Sequence, residues 1–292
     1  MDHDSAYNAL SEASDDRRWA FGTGFEDPLA GVDASVPAGV AGPSLATYCL
    51  MLGDDALVFS HRLQEWLTRL PELEEEVAVA NIALDLLGQA RLLLARAGQA
   101  DGSGRDEDAI AFFREPRQWR NVRLVEAADA DFAQLVVRLL VFSTWRRAVL
   151  DRLQASSDPF LAAVAGKGVK ELAYHRDFAA GWVVRLGDGT ELSHRRTASA
   201  LEAVWPLVDE LFDAHPVEES LVGVAVVPTA VRAEFDEVID AVLAAATLSR
   251  PRVARAGAVG GRAGRDGVHT EALGFLLAEM QSVARAHPGG RW

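Results

Sequence analysis

The sequence has 292 residues, 49% of them hydrophobic, and a formal charge of −14; that is enough apolar material for one sizeable core, and too acidic for phosphate-backbone binding. Cys49 is the single cysteine, which excludes an intrachain disulfide and a thiolate metal cluster and suits a reducing cytoplasm. No uninterrupted apolar run approaches the roughly 20 residues of a membrane span, and the opening Met1-Asp2-His3-Asp4-Ser5 lacks the basic-then-apolar layout of a signal peptide.

Residues 1–42 hold eight acidic residues against two arginines and show no sustained periodicity. They read as a disordered or surface-laid arm that Trp19 and Phe21 could tack down. Residues 43–292 read as one helical domain. Leu45, Tyr48, Cys49, Leu52, Ala56, Phe59, Leu63 and Trp66 recur in steps of three and four, predicting a helix over 44–69. Leu70-Pro71 ends it. A second helix follows over 72–97, with Glu72, Glu74, Glu75 and Glu76 in its first turns. These glutamates read as a solvated helix start facing the positive end of the dipole rather than as a cation site.

A crossover with a short helix at 106–113 leads to a third long helix over 130–155. Ser156-Ser157-Asp158-Pro159 is a stop followed by a start, and a fourth helix runs over 159–186 until Gly187-Asp188-Gly189. A fifth over 190–214 contains Pro206, which should bend it. Further helices fall near 229–247 and 267–286, and Val222–Val227 is the only strand candidate. Two helical hairpins joined by a long crossover make an all-α, ferritin-like four-helix bundle with additional C-terminal helices.

A bundle of that kind can hold a dinuclear metal site at mid-height, built from carboxylates and Glu-x-x-His pairs that offset two cations in a low-dielectric core. At about 1.5 Å rise per residue, Ala56 and Leu86 each lie about 22 Å from the turn at Pro71, and Ser143 and Leu172 lie about as far from the turn at Ser157-Asp158. One turn beyond Leu86 and Leu172 are Gln89 and His175. These are the positions for a metal layer, yet none is a carboxylate and one alone is a histidine.

Other candidates are weighed against plainer roles. Glu191-Leu192-Ser193-His194 has Glu-x-x-His spacing, but His194 lies about 10 Å in height from His175; Glu191 reads as a first-turn acid beside a Thr190 cap. His175 is a hydrogen-bonded core histidine or a lone metal ligand. Asp85 sits in an apolar helix and requires a polar partner, an Arg or an amide, or else it forms a residual cation cluster with Asp54 or Asp55. Gly260-Gly261-Arg262 reads as a surface loop that could contact phosphate.

The strings Leu52-Gly53-Asp54-Asp55-Ala56-Leu57, Ala80 to Arg91, Lys170-Glu171 to Tyr174-His175, Trp182 to Glu191, Gly264 to Glu271 and Leu276 to Met280 together resemble the PaaC family over roughly residues 44–290. That family is the structural subunit of the multicomponent phenylacetyl-CoA 1,2-epoxidase of phenylacetate catabolism. The resemblance implies a homologous catalytic subunit of the same helical fold that holds two irons and inserts one oxygen atom into the aromatic ring of a CoA thioester, fed by a reductase. In that catalytic relative the metal ligands fall on Ala56, Leu86, Gln89, Ser143, Leu172 and His175 of this sequence, so only the histidine survives.

The expectation is therefore a non-catalytic cytoplasmic chain with no cofactor or metal of its own, working in a hetero-oligomer with neither nucleic acid nor membrane as partner. The rivals are an independent ferritin-like metal protein or oxidase with displaced ligands (Asp54, Asp55, Asp85, His175), and a helical interaction module unrelated to oxygenation.

Overall fold

The computed structural model describes Leu29 and residues 31–290, and all the helices named below lie in the unit spanning Val32–Trp292. Of the acidic arm, residues 1–28 and residue 30, with Trp19 and Phe21, lie outside the described residues. The described part is held at Ala34 and Ser35, whose carbonyls accept from the buried Arg96 guanidinium.

Four long helices carry the core. α1 (Gly42–Gln64) and α2 (Leu73–Ala100) form the first hairpin. α3 (Glu107–Phe113) lies in the crossover, capped by Asp106, whose side chain accepts from Ala109 N. α4 (Phe132–Leu153) and α5 (Pro159–Gly187) form the second hairpin, with Asp158 capping α5 by accepting from Leu161 N at 2.9 Å. α6 (Glu191–Val204), α7 (Pro216–Ser220), α8 (Arg232–Ala245) and α9 (Glu271–Ala286) follow. Among the described residues there is no strand, only an isolated bridge between Val259 and Arg262.

The burial pattern explains how the helices stack. α1 and α4 are buried nearly all round and along most of their lengths, the charged Asp54, Asp55, Arg138 and Arg146 included, so neighbours enclose them on almost every side. Phe59 and Phe142 meet edge to face at 4.7 Å between them, a favourable aromatic geometry. α2 and α5 bury one stripe each. They run antiparallel, since Asp85 meets His175, Gln89 meets Glu171, and Arg96 near the end of α2 meets Asp158 at the start of α5. α2 is long and apolar enough to cross a membrane by length and composition alone, with half of that window buried against its neighbours here.

Three expectations are corrected. The first helix ends at Gln64 and gives way to turns through Arg69, with Thr68 at φ 71°; the left-handed residue, ahead of Pro71, breaks the ladder. The helix expected over 190–214 keeps α geometry only to Val204 and continues as 3₁₀ turns at Trp205–Leu207 and Asp209–Phe212, because Pro206 lacks the N–H that the α ladder needs. Val222–Val227 is not a strand; its peptide groups find separate partners, with Val226 N donating to the Tyr48 hydroxyl and Gly223 O accepting from Ser157 N.

Candidate functional site

The mid-height layer is where the bundle helices bring their inward residues together. Ala56, Leu86, Ser143, Leu172 and His175 are fully buried, and Gln89 nearly so. Ala56, Leu86 and Leu172 contribute only hydrocarbon, at about 1.5–3 kcal/mol for each buried leucine. Ser143 returns its hydroxyl to its own helix, donating to Leu139 O at 2.6 Å, as a serine does in an apolar interior.

A positive charge occupies this layer. Arg146, one helical turn beyond Ser143, is completely buried. Its Nε donates to Gln89 Oε1 at 3.0 Å and its Nη1 to Leu52 O at 3.1 Å. Gln89 in turn donates through Nε2 to Glu171 Oε2 at 2.8 Å, and Glu171 Oε1 meets Lys167 Nζ at 2.9 Å. A chain of polar contacts therefore runs from α4 through α2 to α5. Burial pulls the Arg146 guanidinium down to about 10, with the Asp55 carboxylate resisting that shift, so it remains charged at neutral pH.

His175 Nε2 lies 3.0 Å from Asp85 Oδ2. The imidazole is enclosed, whereas about a third of the aspartate side chain remains exposed. The partner of Asp85 is thus a histidine, not the Arg or amide expected. Asp85 and His175 also do not join Asp54 and Asp55, which corrects the suggested residual cluster. At about 100° per residue, Asp55 and Asp54 are turned away from the inward direction of Ala56, toward the crossover. Asp54 accepts from Arg114 Nη1 at 2.9 Å, Arg114 Nη2 at 2.5 Å and Arg120 N at 2.8 Å. Asp55 accepts from Arg265 at 3.0 and 2.8 Å and from Val122 N at 2.9 Å. Both carboxylates are neutralised by guanidinium forks, the strong geometry for such pairs.

A dinuclear iron centre does not fit these residues. Two cations need several carboxylates to offset their charge, and the six positions supply none. His175 Nδ1 is the one buried ligand-type nitrogen in the layer without a partner among the described residues, and a fixed guanidinium shares the layer with it. The decoys resolve locally. Thr190 caps α6 by accepting from Ser193 N, Glu191 pairs with Arg195, and His194 Nδ1 lies 2.7 Å from Gly187 O. Glu72, Glu74 and Glu75 lie close enough together to share a cation, but at an exposed helix start. Gly260 and Gly261 adopt positive φ in an exposed turn.

Sequence reasoning missed Arg146, although Ser143 and Arg146 repeat the i, i+3 spacing of Leu86 and Gln89. Metal-ligand patterns call for carboxylates and imidazoles there, whereas the residue at that spacing is a cation. It also missed Glu126, fully buried, which accepts from Asn121 Nδ2 at 2.9 Å, Thr270 N at 2.7 Å and Thr270 Oγ1 at 2.6 Å and lies 2.6 Å from His269 Nδ1. This hub ties the crossover to the start of α9.

Two antiparallel helical hairpins, a long crossover and an inward layer at mid-height define a ferritin-like protein. The chain belongs to the family described as "Phenylacetic acid catabolic protein", whose model matches residues 34–292, and it has a role in phenylacetate catabolism. It is similar to the C subunit of the 1,2-phenylacetyl-CoA epoxidase of Escherichia coli (strain K12), with 44% identity over 252 residues, covering 85% of this chain and 99% of that relative.

Proposed function

We propose that this chain is the non-catalytic structural subunit of a phenylacetyl-CoA epoxidase, pairing with a homologous di-iron catalytic subunit and stabilising it. The observation that carries the reading is Arg146. A buried guanidinium bonded to Gln89 supplies at mid-height the positive charge that metal ions would bring, among Leu86, Leu172, Ala56 and Ser143. A layer built this way holds helices together without binding a cation, because a like charge at close range opposes metal entry. The chain has no iron of its own on this reading, and the oxygen chemistry and the contact with a reductase belong to its partners. Likeness to a protein named as a subunit supports assembly with other chains.

Co-expression with the catalytic subunit of the same organism tests the proposal. A complex that survives gel filtration at micromolar concentration, together with loss of catalytic-subunit solubility or turnover when this chain is omitted, is expected. Separate elution of the two chains, with full activity from the catalytic subunit alone, contradicts it.

A further inference from the structure

Many arginines of this acidic chain end on carboxylates, as Arg91 does on Glu107 and Arg255 on Asp213. Arg117, Arg120 and Arg262 do not, and they come together where the crossover meets the loop before α9. Arg120 is half-buried, and its Nη1 donates to Arg117 O at 2.9 Å and to Trp119 O at 2.8 Å. Those carbonyls hold the guanidinium and leave its Nε–Nη2 edge, the fork that receives two oxygens at once, with no partner among the described residues. Arg262 Nη2 donates to Asp266 O at 2.8 Å. The next residue, Gly267, lies against Arg120: a Cβ there would come within 2.9 Å of Arg120 Nη1 and would clash with Arg117 O. Two guanidinia therefore flank the single peptide unit Asp266–Gly267. Arg117 adds a third, exposed, from the 3₁₀ turn at Pro116–Gln118.

The carboxylates nearby are engaged elsewhere. Asp54 is held by the Arg114 fork and Arg120 N, and Glu210 by Arg123 and Gly264 N. Asp266 accepts from Ala263 N at 3.2 Å and faces His215 Nε2 at 3.6 Å. Burial draws the Arg120 guanidinium below its ordinary value; Asp54 and Asp266 oppose that shift, and Arg114 and Arg262 add to it. Like charges are thus held close with no carboxylate between them, an arrangement that an anion joining them would relieve.

We propose that Arg117, Arg120 and Arg262 form a phosphate-binding site, which takes a phosphate monoester or diphosphate group on the Arg120 fork with Arg262 and Arg117 on its remaining oxygens. Three guanidinia suit a dianion with three terminal oxygens better than a carboxylate, which has two oxygens and a single charge. Free phosphate, a nucleotide and a CoA thioester all carry this chemistry. The site is built from the crossover and the loop before α9, so it stands independently of the pairing proposed above.

The test is calorimetric titration of the full-length chain with inorganic phosphate, ADP and coenzyme A in low-salt buffer. Wild type is compared with Arg120→Gln, Arg262→Gln and a control, Arg195→Gln, which removes an exposed charge on α6. Thermal melts establish that each variant is folded; Arg262→Gln carries the test alone if losing Arg120, whose Nη1 holds two carbonyls, unfolds the crossover. Wild type is expected to bind one equivalent of each probe. Arg120→Gln and Arg262→Gln should each weaken binding roughly tenfold or more, as loss of a charge-assisted hydrogen bond does, while Arg195→Gln leaves it unchanged. Equal affinities for the three probes identify free phosphate as the source; a rise from phosphate to ADP identifies a nucleotide, and a further rise to coenzyme A identifies a CoA thioester. No binding of any probe at millimolar concentration overturns the site. So does binding that the folded Arg120 and Arg262 variants retain, or an equal loss in Arg195→Gln.

Discussion

Replacement of Arg114 by methionine isolates what Asp54 does. In the folded chain both Asp54 oxygens are satisfied by Arg114, with one further bond from Arg120 N, and the carboxylate is completely buried. Arg114→Met keeps the length and most of the apolar stem but strands a buried carboxylate with a single peptide N–H. Breaking a buried pair in this way costs about 3–5 kcal/mol. Asp54→Asn is milder. Arg114 then still donates to Ile110 O at 2.7 Å and Gln118 O at 3.2 Å and lies 4.3 Å over the Trp119 ring, so the loss is about 1–3 kcal/mol, the penalty for imperfectly satisfied polar groups. The double variant removes both charges and should be less damaged than the sum of the singles by about 2 kcal/mol. Urea unfolding measures each value, with an unchanged slope showing that the same surface is exposed. Additivity of the two singles within about 0.5 kcal/mol would refute the reasoning, because uncoupled residues are not a structural ion pair.

Three further outcomes follow from the same geometry. Leu172→Glu places a carboxylate in the apolar layer and should destabilise the chain by several kcal/mol; thermal melting with ferrous iron should show no recovery, whereas a large iron-dependent rise would mean that the layer still accepts metal. Gly98→Ala drives a Cβ to within 1.9 Å of Arg105 O and should cost about 1–3 kcal/mol by overpacking, read as a lowered melting temperature; an unchanged one contradicts the close approach. Burial holds the His61 imidazole below its ordinary value of 6.5, with Glu279 opposing and Arg62 reinforcing. The unfolded chain therefore takes up that proton first, so the stability this histidine contributes is complete above about pH 6.5 and is lost as pH falls below it. His61→Gln should show a shallower acid-side loss than wild type in unfolding free energy between about pH 7.5 and 5, and identical slopes would count against the assignment.

The four long helices were legible because each carries its own punctuation. Pro71, the Ser157-Asp158-Pro159 junction and Gly187-Asp188-Gly189 mark ends that local chemistry dictates. The burial of Ala56, Leu86, Ser143 and Leu172 was legible for a related reason: helical periodicity fixes which side of a helix turns inward. What spacing could not supply was the identity of long-range partners. Asp54 and Asp55 are adjacent in sequence to an inward residue, yet a rotation of about 100° per residue sends them to Arg114 and Arg265, the latter 210 positions away. Nothing local distinguishes those arginines from the other basic residues. Pro206 signalled a disturbance but not its form, a change to 3₁₀ geometry that depends on packing around Trp205–Phe212. Arg146 stood at the right spacing and was passed over, since ligand patterns reward carboxylates and imidazoles and ignore a cation.

Whether the mid-height layer can hold a pair of irons decides between a structural subunit and an independent metalloprotein. It is measured by anaerobic loading of the isolated full-length chain with ferrous iron, followed by gel filtration, metal analysis and Mössbauer spectroscopy of the protein fraction after exposure to oxygen. A layer occupied by Arg146 and hydrocarbon should give background iron and no coupled diferric signal. About two irons per chain with a coupled diferric spectrum, lost in His175→Ala, would contradict it.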